Sequence, residues 1–213
     1  MPVYTSEALI LRTYKLGEVD RIVVFLTRDR GKKRGVAKGA RRVRSRFMGA
    51  LEPMTRAGVA YYEREQRDLV RINYVEPTRS PLSGPSGDAL GYVGYFAELI
   101  DEWAPEAHAD ERLFRLGSSI TEAIAAGAMA DPLARYFEYW LLRLQGVYEQ
   151  DDRLSAGAKA FLTAARAASP FALGEVAVSA RTLGELERAH QAQITQHLEK
   201  DLKSVRVLRE MRR

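Results

Sequence analysis

The chain has 213 residues, 46% of them hydrophobic and 29% charged, with a net charge of +5, a profile that fits a globular protein of one or two domains. It has no cysteine, and its three histidines, His108, His190 and His197, are far apart. Disulfides and thiolate metal sites are therefore excluded, and no metal or other cofactor is expected. No apolar run approaches the roughly 20 residues that cross a bilayer, and the start, MPVYTSEALILR, lacks the basic n-region and cleavage site of a signal peptide, so a cytoplasmic protein is expected.

The charge is unevenly distributed. Residues 1–80 hold 18 Lys and Arg against 9 Asp and Glu, a balance of +9, whereas residues 81–213 hold 15 against 19, a balance of −4. A polyanion partner for the first part and a more ordinary scaffold for the second follow from this asymmetry, because only clustered like charges build a field of several kT.

Taken in chain order, residues 7–13, the apolar run 22–26, residues 58–63 and residues 68–75 read as strands, the last with Val70, Ile72 and Tyr74 alternating against polar neighbours. Residues 35–39 offer one more. Turn signals at Leu16-Gly17-Glu18 and Arg30-Gly31-Lys32 separate the early strands. Five short strands without crossover helices predict a small closed barrel of the OB-fold kind over residues 1–78. Residues 79–87, rich in Ser, Pro and Gly, predict a linker.

From residue 88 to 213 the period is helical, and the fold class expected is α+β: an N-terminal OB-fold barrel followed by an all-α domain. Tyr92, Phe96, Leu99, Ile100 and Trp103 share one face, and Leu113, Leu116, Ile120 and Ile124 another. Asp131-Pro132 predicts an N-cap and N1 proline for a helix carrying Leu133, Tyr136, Phe137, Trp140, Leu141 and Leu144. Ser155 predicts the cap of a shorter helix ending before Ser169-Pro170. Thr182 and Glu185 have capping-box spacing at the start of a long C-terminal helix.

Residues 28–46, RDRGKKRGVAKGARRVRSR, hold ten basic residues and one acid. Arg28, Arg30, Lys32, Lys33, Arg34, Lys38, Arg41, Arg42, Arg44 and Arg46 face only Asp29. Most short charge runs are solvated loops, but a ten-to-one balance argues for phosphate binding. Gly31, Gly35 and Gly39 break any amphipathic helix that would lie on a membrane, and Arg outnumbers Lys seven to three, which suits bidentate contact with phosphate. No recognition helix is evident, so sequence-specific readout is not expected. Tyr61, Tyr62 and Tyr74 are candidate stacking platforms, although tyrosine on a strand more often packs in the sheet. A second basic element, Lys203, Arg206, Arg209 and Arg213, shares one side of the last helix. It reads equally as a second DNA or partner contact and as cations offsetting the helix dipole.

No P-loop, nucleophile elbow or His-Glu-x-x-His pattern occurs, and the acidic pairs Asp101-Glu102 and Asp151-Asp152 diverge by roughly 100° on a helix. An enzyme is not expected. The remaining rival is an OB-fold RNA-binding or ribosome-associated protein, which the basic stretch would serve equally well.

Several segments follow the order of one bacterial family: EALILRT at 7–13, GEVD at 17–20, TRDRGK at 27–32, AKGARR at 37–42, Ser45-Arg46, Leu51-Glu52-Pro53, then Glu98-Leu99, Arg112-Leu113-Phe114 and Arg135-Tyr136-Phe137-Glu138. In this succession the chain resembles RecO, the recombination mediator, over about residues 5–146, with a weaker likeness to the end. The resemblance implies a protein that binds single- and double-stranded DNA and anneals complementary strands. It also implies loading of RecA, with RecR, onto DNA coated by single-strand-binding protein (SSB). By the same likeness Lys38, Arg41, Arg42, Arg44 and Arg46 match the family's basic loop, and Arg135 falls in the helical domain that receives the acidic C-terminal tail of SSB. Many members carry a four-cysteine zinc module after the position of Gly146. Here residues 146–152 run into a new helix without a cysteine, so that domain must hold together without the roughly 10–16 kcal/mol of a structural zinc site.

Overall fold

A computed structural model describes residues 2–63, 68–84 and 87–211. Five strands, β1 (Val3–Leu16), β2 (Asp20–Thr27), β3 (Gly31–Ala37), β4 (Arg56–Tyr62) and β5 (Leu69–Arg79), close into a barrel in the order β1-β2-β3-β5-β4. Neighbours run antiparallel except β3 and β5, which pair in parallel through Arg34, Gly35 and Val36, and the result is the expected OB-type barrel. The strand anticipated at residues 35–39 begins earlier and ends at Ala37, so Lys38 and the arginines after it lie outside the sheet.

Side-chain alternation accounts for how the barrel is covered. Ala8 and Ile10 of β1 and Val23 and Phe25 of β2 fill its interior, while Leu9, Leu11, Val24 and Leu26 alternate with them and join the core of the helical part. Both faces of these strands are buried, which explains why residues 22–26 read as an unbroken apolar run rather than an alternating one. Burying each such side chain contributes about 1.5–3 kcal/mol.

Among the described residues six helices follow: α1 (Gly87–Trp103), α2 (Glu111–Ala125), α3 (Ala130–Leu144), α4 (Ala156–Ala167), α5 (Ala180–Leu198) and α6 (Lys203–Met211). None is long and apolar enough to cross a membrane. Ser155 caps α4 through the Ala158 N–H. Two other expected caps are displaced. Asp131 sits inside the first turn of α3, where it accepts from the Tyr92 hydroxyl, and Met129 precedes the helix without a side-chain cap. Ser179 rather than Thr182 caps α5, and Glu185 instead binds the N–H and hydroxyl of Ser155, at 2.7 and 2.6 Å. The long C-terminal helix is also interrupted, by Glu199 in the left-handed region at φ 52°.

Barrel and helices meet in a tight joint. Gly31 has φ +69°, and a Cβ there would lie 2.3 Å from the His108 carbonyl oxygen, so only glycine permits this approach. The next residue continues it, with the Lys32 N–H donating to Pro105 O at 3.0 Å. At Gly117 of α2 a Cβ would meet Leu9 at 2.7 Å. Close by, the Thr121 hydroxyl donates to Met54 O at 2.7 Å.

Candidate nucleic-acid interface

The basic stretch divides in two at Ala37. Its first part has internal partners, although Arg28, Arg30 and Arg34 stay exposed. Arg28 binds Glu111 of α2 at 2.8 Å and Glu7 of β1 at 3.2 Å, and these hydrogen bonds, Glu111 foremost, hold its guanidinium above the ordinary arginine value. Arg30 lies over the Tyr4 ring, 4.0 Å from its centroid. The Lys32 side chain is 10% exposed, and its ammonium is bound between the carbonyl of Asp101 at 2.6 Å and its carboxylate at 3.3 Å. Lys33 pairs with Glu63 at 2.8 Å, and Arg34 more loosely with Glu106 at 3.5 Å. Lys32, Lys33 and Arg34, expected to contact nucleic acid, thus have carboxylate partners, and Lys32 serves the joint with the helices.

The second part behaves differently. Lys38, Arg41, Arg42, Arg44 and Arg46 are all exposed, and none forms an ion pair with a described carboxylate. Residues 30–51 contain no Asp or Glu, and the Asp20 carboxylate beside the segment binds the Gly39 N–H rather than a guanidinium. The segment is a chain of turns, with Arg42 N–H donating to Gly39 O at 3.1 Å, Ser45 N–H to Arg42 O at 3.1 Å and Met48 N–H to Ser45 O at 3.2 Å. It is pinned at both ends. Gly39 N–H donates to the Asp20 carboxylate at 2.7 Å, and Arg41 holds the β1–β2 turn through Val19 O and Gly17 O, at 2.9 and 3.0 Å. Beyond it Phe47, Ala50 and Leu51 are buried in the barrel core. Five cations within nine residues are thus displayed on an ordered support.

Of the candidate aromatics, Tyr61 lies inside the barrel, where burial first and Glu63 second push its hydroxyl up to about 12. It presents no ring face to a ligand. Tyr62 is half-buried and Tyr74 exposed.

Lys203, Arg206 and Arg209 are exposed along α6 and line a groove of about 850 Å³ between α5 and α6. Arg213 lies outside the described residues. Arg188 of α5 lines the same groove, a cation the sequence reading missed because it lies fifteen positions away on another helix. Only its spacing from Ala192 and Thr195, one and two turns on, hinted at a shared face.

Arg135 contradicts its expected surface role. It is 2% exposed, and its guanidinium binds Glu138 at 2.7 Å and Glu187 at 3.2 Å. Burial disfavours its charge, but Glu138, Tyr95 and Glu187 outweigh this and hold it above the ordinary value. Glu138 also accepts from the Tyr95 hydroxyl at 2.7 Å and faces His190 Nδ1 at 3.0 Å. Arg135 therefore ties α1, α3 and α5 together internally and offers no charge to a tail.

Where the resemblance led to a zinc module, residues 147–155 lie against α5. Glu149 N–H donates to the Gln193 side chain and Gln193 donates back to Glu149 O, both at 2.9 Å, while Tyr148 packs edge-on to Tyr139 with centroids 5.0 Å apart.

With this geometry established, comparison with known proteins gives a consistent answer. A family model described as Recombination protein O N terminal matches residues 1–81, and a second, Recombination protein O C terminal, matches residues 85–150. The chain belongs to the RecO family. Among curated RecO relatives, the DNA repair protein RecO of Koribacter versatilis is 41% identical over 66% of this chain and 58% of its own length. That of Geobacter metallireducens is 38% identical over 66% and 57%. RecO of Pelotomaculum thermopropionicum is 28% identical but is matched over 96% of this chain and 93% of its own. The chain thus spans less than two thirds of the Koribacter and Geobacter relatives. The RecO C-terminal match stops at residue 150, close to the Gly146 turn.

Proposed function

We propose that this chain acts in recombinational DNA repair by binding DNA through the turn segment at residues 38–46, with no bond-making chemistry of its own. The observation that carries the reading is the contrast within one basic run. Lys32, Lys33 and Arg34 have carboxylate partners, whereas Lys38, Arg41, Arg42, Arg44 and Arg46 are exposed and unpaired among the described residues. Cations without a carboxylate partner on an ordered support favour phosphate, because no internal ion pair has to break before they neutralise it and release its counter-ions; Arg41, bonded to Gly17 O, and Arg46, over the Phe47 ring, keep neutral contacts only. Family membership supports the repair context, and a cytoplasmic setting is part of this reading.

Annealing follows physically from such a surface. A cationic patch screens the repulsion between two strands and raises their local concentration, so pairing needs no energy source. The groove with Lys203, Arg206, Arg209 and Arg188 is the second DNA contact in this proposal. RecR, SSB and, through them, RecA are proposed partners on the strength of the family alone.

Salt titration of binding to single- and double-stranded DNA tests the reading. Five phosphate contacts from the turn segment alone predict log-log slopes of roughly −3.5 and −4.5 respectively, and contacts in the α5–α6 groove steepen both. Replacing Arg41, Arg42, Arg44 and Arg46 together by Ala should flatten both slopes and abolish annealing with the fold intact. Undiminished binding, or a strong preference for structured RNA, would refute it.

A further inference from the structure

The most exposed large apolar side chains of the described residues are Val43, at 88%, and Met48, at 70%. Both lie on the turn segment, Val43 between Arg42 and Arg44 and Met48 two residues after Arg46. The packing of the barrel does not account for their exposure, since Phe47, Ala50 and Leu51 of the same segment reach its core. Nor is the segment loose, because the Arg42, Ser45 and Met48 N–H groups close successive turns around them.

We propose that Val43 and Met48 form an apolar wedge that inserts between unstacked bases of a nucleic-acid strand whose phosphates are held by the surrounding arginines. This rests on the DNA-binding reading above and adds to it the form of DNA preferred. Apolar side chains flanked by cations enter base steps at the cost of unstacking them. A single strand meets that cost cheaply, whereas a duplex must also kink, so the wedge favours single strands. Valine suits the task because its branched Cβ leaves few side-chain rotamers and keeps the tip stiff. Five exposed cations from residue 38 to 46, with the adjoining Asp20 carboxylate engaged by the Gly39 N–H, disfavour a cationic partner on this face.

The test uses the full chain, a single-stranded oligonucleotide carrying 2-aminopurine, whose fluorescence rises on unstacking, and a duplex of the same length. The wild type should brighten the probe. Val43→Ser with Met48→Ser should lose the brightening and bind the single strand about tenfold more weakly, as loss of part of the apolar burial of two side chains implies. Its salt slope and duplex affinity should be unchanged, and Val43→Ile should retain the wild-type signal. Both side chains are exposed, so thermal melts should coincide. The wedge is overturned if the wild type binds without brightening the probe, or if the double variant binds the single strand as the wild type does. It is equally overturned if that variant changes only binding to anionic phosphatidylglycerol vesicles. Failure of the wild type to bind either DNA form at low salt would instead remove the DNA-binding reading beneath it.

Discussion

The Glu98 carboxylate on α1 accepts hydrogen bonds from both the N–H and the hydroxyl of Ser204, at 2.8 and 2.5 Å, and a third from the Lys203 N–H at 3.2 Å. A side chain more than a hundred residues away thus caps α6, satisfying N–H groups that no local residue serves. Burial alone would raise this carboxyl, but the bonds from Ser204 and Lys203 outweigh it and hold it below its ordinary value of 4.5. A carboxyl depressed in the folded state stabilises above its unfolded value, and that contribution disappears as pH falls through the folded one. Attachment of α6 should therefore weaken below about pH 4.5. Glu98→Ala should cost about 1 kcal/mol at neutral pH and speed amide exchange in α6 first. Exchange identical to wild type would show that the cap contributes nothing.

The two parts of the basic stretch should separate experimentally. Lys32→Ala removes a largely buried charge contact with Asp101 and should lower stability by about 2 kcal/mol without altering the salt slope of DNA binding. Arg44→Ala should do the reverse, reducing the duplex slope by about 1 and leaving the melting temperature within error. Parallel melts and salt titrations of the two variants decide it, and similar slopes for both would dissolve the division at Ala37.

Glu138 is the hub of the buried polar network, so removing it strands the most charge. Glu138→Leu leaves the Arg135 guanidinium with only Glu187, and breaking a buried pair in this way costs about 3–5 kcal/mol. Urea unfolding should show the full loss. A variant as stable as wild type would mean that Arg135 finds water or another carboxylate.

Gly31→Ala tests the joint. Its φ of +69° and a Cβ position 2.3 Å from His108 O leave no room without backbone movement, so destabilisation of at least about 2 kcal/mol is expected. Amide exchange at Lys32, whose N–H donates to Pro105 O, reports whether the joint opens locally or the whole chain weakens.

Much of this architecture was legible in the amino-acid order. The barrel strands announced themselves through turns and alternation, and the faces of α1 and α2 through the spacing of Phe96, Ile100, Leu113 and Ile120. What covers the outer side of Val24 and Leu26 was not legible, because a run buried on both faces does not name its second partner. The same limit governed charge. Lys32 and Arg44 look alike in the sequence, and only the fold brings Asp101 to one of them. Arg135 misled for a related reason: its place in the sequence carries no sign of burial, and only the fold sets Glu187 of α5 against it. The displaced caps at Asp131 and Thr182 show a local motif losing to a neighbouring residue or a tertiary partner. Val43 was visible throughout, yet its exposure depended on turns that no periodicity predicts.

The outward leucines of β1 and β2 carry a final implication for the role of the helices. A barrel separated from its helices would bare Leu9, Leu11, Val24 and Leu26 together, a patch that invites aggregation. Such a barrel would carry its own interior, built from Ala8, Ile10, Val23 and Phe25, yet would need a substitute cover for its outer side to stay dispersed, so the helices serve the barrel as a solubilising coat as much as a scaffold.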